Sequence, residues 1–188
     1  MVRLNKIYTR TGDDGSTGLG SNERVKKFDL RVSAFGTVDE TNACVGLVRL
    51  HCMNEPTLDA MLMRIQNDLF DLGADLCTLK AKAGKDALRI IEQQVTRLEH
   101  EIDQLNESLA PLRSFVLPGG TKLSAHLHLA RTVARRAERL MVELSQSEEV
   151  NGAALKYINR LSDFFFVAAR FTNGNGAGDV LWVPGQNR

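Results

Sequence analysis

A chain of 188 residues, 43% of them hydrophobic, has material for one domain with a real core, or for a domain with a short arm. Its net charge of +1 gives no global field for nucleic acid or an acidic membrane, so any anion site has to be built locally. No run approaches the roughly 18 apolar residues of a membrane span and no signal-peptide core opens the chain, so the expectation is a soluble cytoplasmic protein with no membrane and no nucleic-acid partner.

Residues 1–30 differ in composition from the rest. The stretch Thr9-Arg10-Thr11-Gly12-Asp13-Asp14-Gly15-Ser16-Thr17-Gly18-Leu19-Gly20 is rich in Gly, Thr, Ser and Asp, and Lys26 and Lys27 follow it. Such residues break helices and let successive backbone N–H groups turn inward. The stretch reads either as a phosphate cradle or as a polar arm lying on the outside of the body. It is not a Walker A loop, because GxxxxGK[ST] is absent.

From about residue 31 the apolar spacing is helical. The first predicted helix, 31–53, carries Ala34, Val38, Val45 and Val48 on one side, interrupted by Asp39, Glu40 and Asn42. Asp39 is either a buried carboxylate seeking a cation or a solvent-facing acid, and bare statistics favour the second. The second, 58–79, follows a Pro56-Thr57 start signal and has a stripe of Leu58, Leu62, Ile65, Leu69, Leu72 and Leu76. A Lys/Ala/Gly link at 80–85 precedes the third, 86–109, whose Ile91, Val95, Leu98, Ile102, Leu105 and Leu109 approach a coiled-coil seam with Glu and Gln outside.

The fourth helix, 120–145, follows an apolar run that stops at Pro118-Gly119-Gly120. With Leu123 at zero and about 100° per residue, Leu127, Ala130, Ala134, Ala137 and Met141 fall within about 40° of it. Arg131, Arg135 and Glu138 fall at about 60–120°, along one flank of that apolar stripe. Arginine matches phosphate oxygens bidentately, so this flank reads as a polyanion site; the bland alternative is a solvated, salt-bridged face. A turn at Ser147–Gly152 leads to the fifth and most apolar helix, 153–172, with Leu155, Ile158, Leu161, Phe165 and Ala168 as core candidates and Asn159, Arg160 and Asp163 as polar insertions. Asn173–Gly178 ends it with C-cap chemistry, and a short extended tail, DVLWVPGQNR, closes the chain. The cysteines, Cys44, Cys52 and Cys77, are odd in number and lack metal-ligand spacing, so they read as buried hydrophobes or free thiols. The fold class expected is all-α: a five-helix antiparallel bundle with an N-terminal glycine-rich arm, in one domain (arm 1–30, bundle 31–172, tail 173–188).

Several stretches taken together resemble one family: TRTGDDGST at 9–17, RVKK at 24–27, FGTVDE at 35–40, QNDLFDLGADL at 66–76, FVLPGG at 115–120, ARTVARRAER at 130–139 and YINRLSDFFFVAAR at 157–170. In this order they resemble the ATP:cob(I)alamin adenosyltransferases of the propanediol-utilisation type, over residues 7 to 172. The departures, Phe35, Thr41 and Ala134, remove no charge and no proposed ligand. The resemblance implies transfer of the 5′-deoxyadenosyl group of ATP to the cobalt of cob(I)alamin, with Mg²⁺ as the companion ion of the nucleotide. It implies a homotrimer with each active site between two subunits, a flavoprotein reductase that supplies the corrinoid and an adenosylcobalamin-dependent enzyme that uses the product. Carried over by position, Thr9, Arg10, Thr11, Gly12, Gly15, Thr17 and Gly18 line the ATP and Lys27 reaches its phosphates. Arg135, Arg136, Ala137, Glu138 and Arg139 form the opposing wall, with Asn159 beside it. Asp39 and Arg131 pair across the interface near the corrinoid, and Phe115 presses on the lower face of the corrin ring; on residue statistics alone Phe115 reads as a core aromatic. His126 and His128 read as surface or packing residues, not cobalt ligands. The alternative reading is a non-catalytic bundle that senses or carries a nucleotide or corrinoid.

Overall fold

Local sequence explains where the first, second, fourth and fifth helices of the computed structural model begin. The structure describes residues 7–21, 23–79 and 87–188. Helix α1 spans Leu30–Arg49, and the Asp29 side chain caps it by accepting from the Arg31 N–H. Helix α2, Pro56–Cys77, starts with proline at a position whose N–H has no intrahelical partner. Helix α3 is Glu92–Asn106. Helix α4, Lys122–Leu144, is capped by the Thr121 hydroxyl, and α5, Gly152–Phe171, by the Asn151 side chain. Two short strands, β1 (Ser16–Gly18) and β2 (Arg24–Lys26), form an antiparallel hairpin in the arm, with Thr17 opposite Val25. The Gly/Thr/Ser/Asp-rich composition of this region predicts no strands, and the short pairing forms nonetheless.

The helices pack in the order α2, α1, α4, α5, α3. Helix α4 is the centre of the row because its inward stripe is small. Ala130, Ala134 and Ala137 are fully buried, so α1 and α5 both approach its backbone closely. The apolar stripes expected on α1 and α2 are buried at every position named, as are Leu123, Leu127 and Met141 of α4. Long polar side chains draw α3 against α2. Asp68, 5% exposed, accepts from Gln94, Arg97 and the hydroxyl of the fully buried Tyr157 of α5, and Glu101 accepts from Arg64. Glu101, expected on the outside of α3, is therefore buried.

The third helix is shorter than its spacing predicts. Residue 86 and the 80–85 link lie outside the described residues, but residues 87–91 form no helical turn. The Ile90 N–H donates to the carboxylate of Asp75 at 2.9 Å, which draws Ile90 into the core and leaves Ile91, expected in the seam, half-exposed. Asp75 also accepts from Arg89 and from Asn151, so one buried carboxylate ties the end of α2 to the starts of α3 and α5. This tertiary bond outcompetes a first turn that local periodicity favours.

Tyr157→Phe removes the hydroxyl bonded to Asp68 at 2.8 Å inside the core. The expected cost is about 1–2 kcal/mol, read as a lower urea midpoint with an unchanged slope.

Candidate active site

The basic flank of α4 leaves the bundle beside the apolar stripe, as the helical angles require. Arg131 is half-buried and its Nε is enclosed without a hydrogen-bond partner among the described residues. Burial, and then the neighbouring charge of Arg135, lower its guanidinium pKa from the usual value. Arg135 and Arg139 are exposed, and Arg139 donates to the Arg135 carbonyl at 3.1 Å. Arg136 turns to α1 and pairs with Glu40. Glu138 accepts from Asn159 Nδ2 of α5 at 2.7 Å. Ala137, one of the residues carried over to this wall, is a core residue with no exposed surface, because it lies on the inward stripe.

Next to Arg131 lies a cavity of about 500 Å³, lined also by Leu112, Ser114, Phe115, Val116 and Phe166. The fold thus brings Phe115 and Arg131 to one place. Phe115 is 77% exposed, so it is not the core aromatic that statistics favour. The tail accounts for its position. Val116 bridges to Leu181, the Leu117 N–H donates to the Val180 carbonyl at 2.8 Å, and the Trp182 N–H donates to the Phe115 carbonyl at 2.8 Å. The Ser114 hydroxyl donates to the Trp182 carbonyl, and the rings of Phe115 and Trp182 stand 5.9 Å apart. The tail in turn is pinned by Asp179, which accepts from Arg170 at 2.8 Å with both side chains buried. Asn173 links the same turn to the start of α4. It accepts from the Thr121 N–H, and a Cβ at Gly120 (φ 91°) would run into its side chain. The tail, a short extended segment by its sequence, is given no functional role by the resemblance. Its run of apolar, β-prone residues, Val180-Leu181-Trp182-Val183, ended by Pro184, was the available signal.

Asp39 is exposed and lines a different groove, between α1 and α2, with Phe35, Asn42, Phe70 and Cys77. The solvent-facing alternative therefore describes Asp39 within one chain. Asp39 and Arg131 face separate grooves of that chain.

The arm holds its own residues in register. The Asp14 carboxylate accepts from the N–H and hydroxyl of Ser16, and these bonds lower its pKa. Arg24 donates to the Thr11 carbonyl and the Ser16 hydroxyl. The Thr9 and Thr11 hydroxyls share a bond of 3.0 Å, Arg10 lies over the Tyr8 ring, and Arg10 and Gly15 take positive φ. Lys27 N–H donates to the Gly15 carbonyl, and the Lys27 ammonium lies close over Gly12, where a Cβ would stand 3.3 Å from it. Gly12, Gly15 and Lys27 are thus gathered, with Thr17 and Gly18 on the adjoining strand β1. Gly20 docks on the Cys77 carbonyl at the end of α2. The arm is thus anchored on α2, and α1 stands between α2 and α4 in the bundle.

His126 Nδ1 lies 2.7 Å from the Lys122 carbonyl, and its ring stacks on His51. His128 is 2% exposed, edge-on to Phe166, with its Nδ1 enclosed and without a partner among the described residues. Burial, then Arg131, depress its pKa against the opposing pull of Asp179. Among the described residues no cluster of three His, Cys, Asp or Glu side chains is placed to hold a metal, and no helix is long and apolar enough to cross a membrane.

Two outcomes follow from this geometry. His128 has a native pKa below its usual 6.5. Its contribution to stability is therefore present above pH 6.5 and is lost as pH falls through the native value. Stability should drop below pH 6.5 in the native protein, and less steeply in His128→Asn, by denaturant titration across pH 5–8. Asp179→Ala strips a buried guanidinium of its partner, at a cost of about 3 kcal/mol to the contacts that hold the tail. The Leu117 and Trp182 amides should then exchange hydrogen faster, while amides inside α4 keep their protection.

The cobalamin adenosyltransferase family profile matches residues 7–172. A corrinoid adenosyltransferase of Mycobacterium tuberculosis is 47% identical over 190 residues, which cover 100% of this chain and 97% of the relative. One of Bacillus subtilis is 45% identical over 179 residues, covering 93% and 91%. Among solved structures, a variant PduO-type ATP:corrinoid adenosyltransferase from Lactobacillus reuteri, complexed with cobalamin and ATP, superposes with a TM-score of 0.89 at 40% identity, covering 95% of this chain and 97% of that one. A five-helix bundle with an arginine flank, a glycine-rich arm and an exposed Phe115 beside Arg131 is thus matched along nearly its whole length, and the chain belongs to the cobalamin adenosyltransferase family.

Proposed function

We propose that this chain is an ATP:cob(I)alamin adenosyltransferase. The cobalt of cob(I)alamin attacks C5′ of ATP; a cobalt–carbon bond forms, the C5′–oxygen bond breaks, and triphosphate leaves with the electron pair. The observation that carries the reading is the cavity shared by Phe115 and Arg131, next to the Arg135–Glu138–Asn159 set, in a chain of this family. The nucleophile belongs to the substrate, so the protein has to bind, orient and stabilise charge. Arg135 and Lys27 face the charge that builds on the leaving triphosphate. Phe115 presents an apolar face to the corrin ring, where it displaces the lower axial ligand and keeps water out. Losing that donor eases reduction of cob(II)alamin, because an axial donor destabilises the added electron. Glu138, with Asp163 in the same field, offers hard oxygen donors of the kind Mg²⁺ takes beside phosphate oxygens and water. Such an ion supplies charge neutralisation at the phosphates.

The site is shared between subunits of a homotrimer: the arm of one chain, Thr9 to Gly18 with Lys27, closes on the α4 flank of the next, and Asp39 pairs with its neighbour's Arg131. Supporting this are the anchoring of the arm on α2, with α1 between α2 and α4, and the exposure of Phe28 and Phe70. The whole chain, 1–188, acts as one adenosyltransferase domain in the cytoplasm. It is fed by a flavoprotein reductase and supplies an adenosylcobalamin-dependent enzyme.

The direct test is anaerobic: purified protein, chemically reduced cob(I)alamin and MgATP, followed by absorbance. Conversion that requires both ATP and protein, with release of triphosphate, is expected; ATP binding without conversion would leave a carrier. Arg135→Ala should lower kcat by about 10²–10³-fold. Phe115→Ala should slow turnover from cob(II)alamin far more than from pre-reduced cob(I)alamin. Co-expressing Lys27→Ala with Arg135→Ala chains should restore roughly a quarter of wild-type activity, since a heterologous ring contains sites built from two intact halves. No restoration would place the whole site in one chain.

A further inference from the structure

A polar chain crosses three helices beside the arginine flank. Glu99 of α3 accepts from Arg160 Nε at 2.8 Å. Arg160 Nη1 donates to Asn159 Oδ1 at 2.5 Å, and Asn159 Nδ2 donates to Glu138 Oε1 of α4 at 2.7 Å. Two features make this chain directional. A carboxylate only accepts and a guanidinium only donates, so an amide placed between one of each has a single satisfied orientation. Adjacent residues of a helix point about 100° apart and do not ordinarily meet. Arg160 therefore has to fold along the helix surface to reach Asn159, and Glu99 holds it there.

We infer that Arg160, held by Glu99, is a positioning residue for the nucleotide: it locks the Asn159 amide with its NH₂ towards α4, so that the group offered to the substrate is a hydrogen-bond donor. The inference rests on the reading of Asn159 as a nucleotide contact. The flipped amide would set its carbonyl against the Glu138 carboxylate and against an anionic substrate. The chain thus gives α3, which carries none of the expected site residues, a part in ATP affinity. Arg160 and Glu99 are half-exposed, with side chains 39% and 43% accessible, so replacing either leaves the core intact.

The test is calorimetric titration of the full-length protein with MgATP, with steady-state kinetics alongside. Arg160→Met keeps the stem and removes the donor, and should raise Kd and KM for MgATP about tenfold, the worth of one charge-assisted hydrogen bond. The kcat at saturating ATP and the KM for corrinoid should stay within about twofold, because Arg160 acts through binding geometry alone. Arg160→Lys, which keeps a donor, should recover most of the loss. Glu99→Leu gives the sharpest contrast in sign. Removing a negative charge near a polyanion site favours ATP on electrostatic grounds alone, whereas loss of the lock weakens it. In an Asn159→Ala background neither variant should change Kd further. Tighter binding by Glu99→Leu, or weakening by Arg160→Met that persists without the Asn159 amide, overturns the positioning role and leaves the site assignment standing. Unchanged ATP affinity in Asn159→Ala itself overturns the reading of Asn159 and the inference with it.

Discussion

Everything at the site depends on how closely three helices approach at α4. Its buried stripe of Ala130, Ala134 and Ala137 admits α1 on one side and α5 on the other. Larger side chains would push these neighbours outward, and cores tolerate such overpacking poorly. Close packing fixes the rotation of α4 about its axis. Once the rotation is fixed, Arg131 falls at the rim of the apolar face, Glu138 falls against Asn159, and Arg135 and Arg139 face outward. The charged half of the site is a consequence of the alanines.

A second constraint acts at the end of the bundle where α4 begins. The buried Asp179–Arg170 pair and the Asn173 side chain tie the turn after α5 to Gly120 and Thr121. The tail that follows pairs with residues 114–117 and gives Phe115 a backbone it would not otherwise have. An aromatic ring held 77% exposed loses favourable burial, and single-chain packing does not repay it. A ring placed so is available to a large apolar ligand. Arg131, next to it, is half-buried, and its enclosed Nε has no hydrogen-bond partner among the described residues.

The arm follows a different logic. It has no helical period and buries little apolar side chain beyond Leu19, so it takes its shape from side chain-to-backbone bonds, Asp14 with Ser16 and Arg24 with the Thr11 carbonyl, and from the close approach of Lys27 to Gly12. It is anchored to the bundle at Gly20, whose N–H donates to the Cys77 carbonyl at the end of α2. Such a segment has its donors in order while its outer face remains open, which suits a cradle completed by a second element.

The five helices, their inward stripes and the flank position of Arg131, Arg135 and Glu138 were legible in the sequence, because helical periodicity alone decides which side chains share a face. The family resemblance carried the arm and Phe115. What periodicity misplaced was decided by tertiary bonds. Ile90 is buried in place of Ile91 because Asp75 captures its N–H, and Glu101 is drawn inward by Arg64, whereas Ala137, carried over to the wall by the resemblance, lies on the inward stripe where periodicity puts it. The strand pairing of the tail with Phe115, the meeting of Phe115 and Arg131 in one cavity, and the separation of Asp39 from Arg131 join residues far apart in the chain. Local spacing carries no record of such distances, so only the packed structure could decide them.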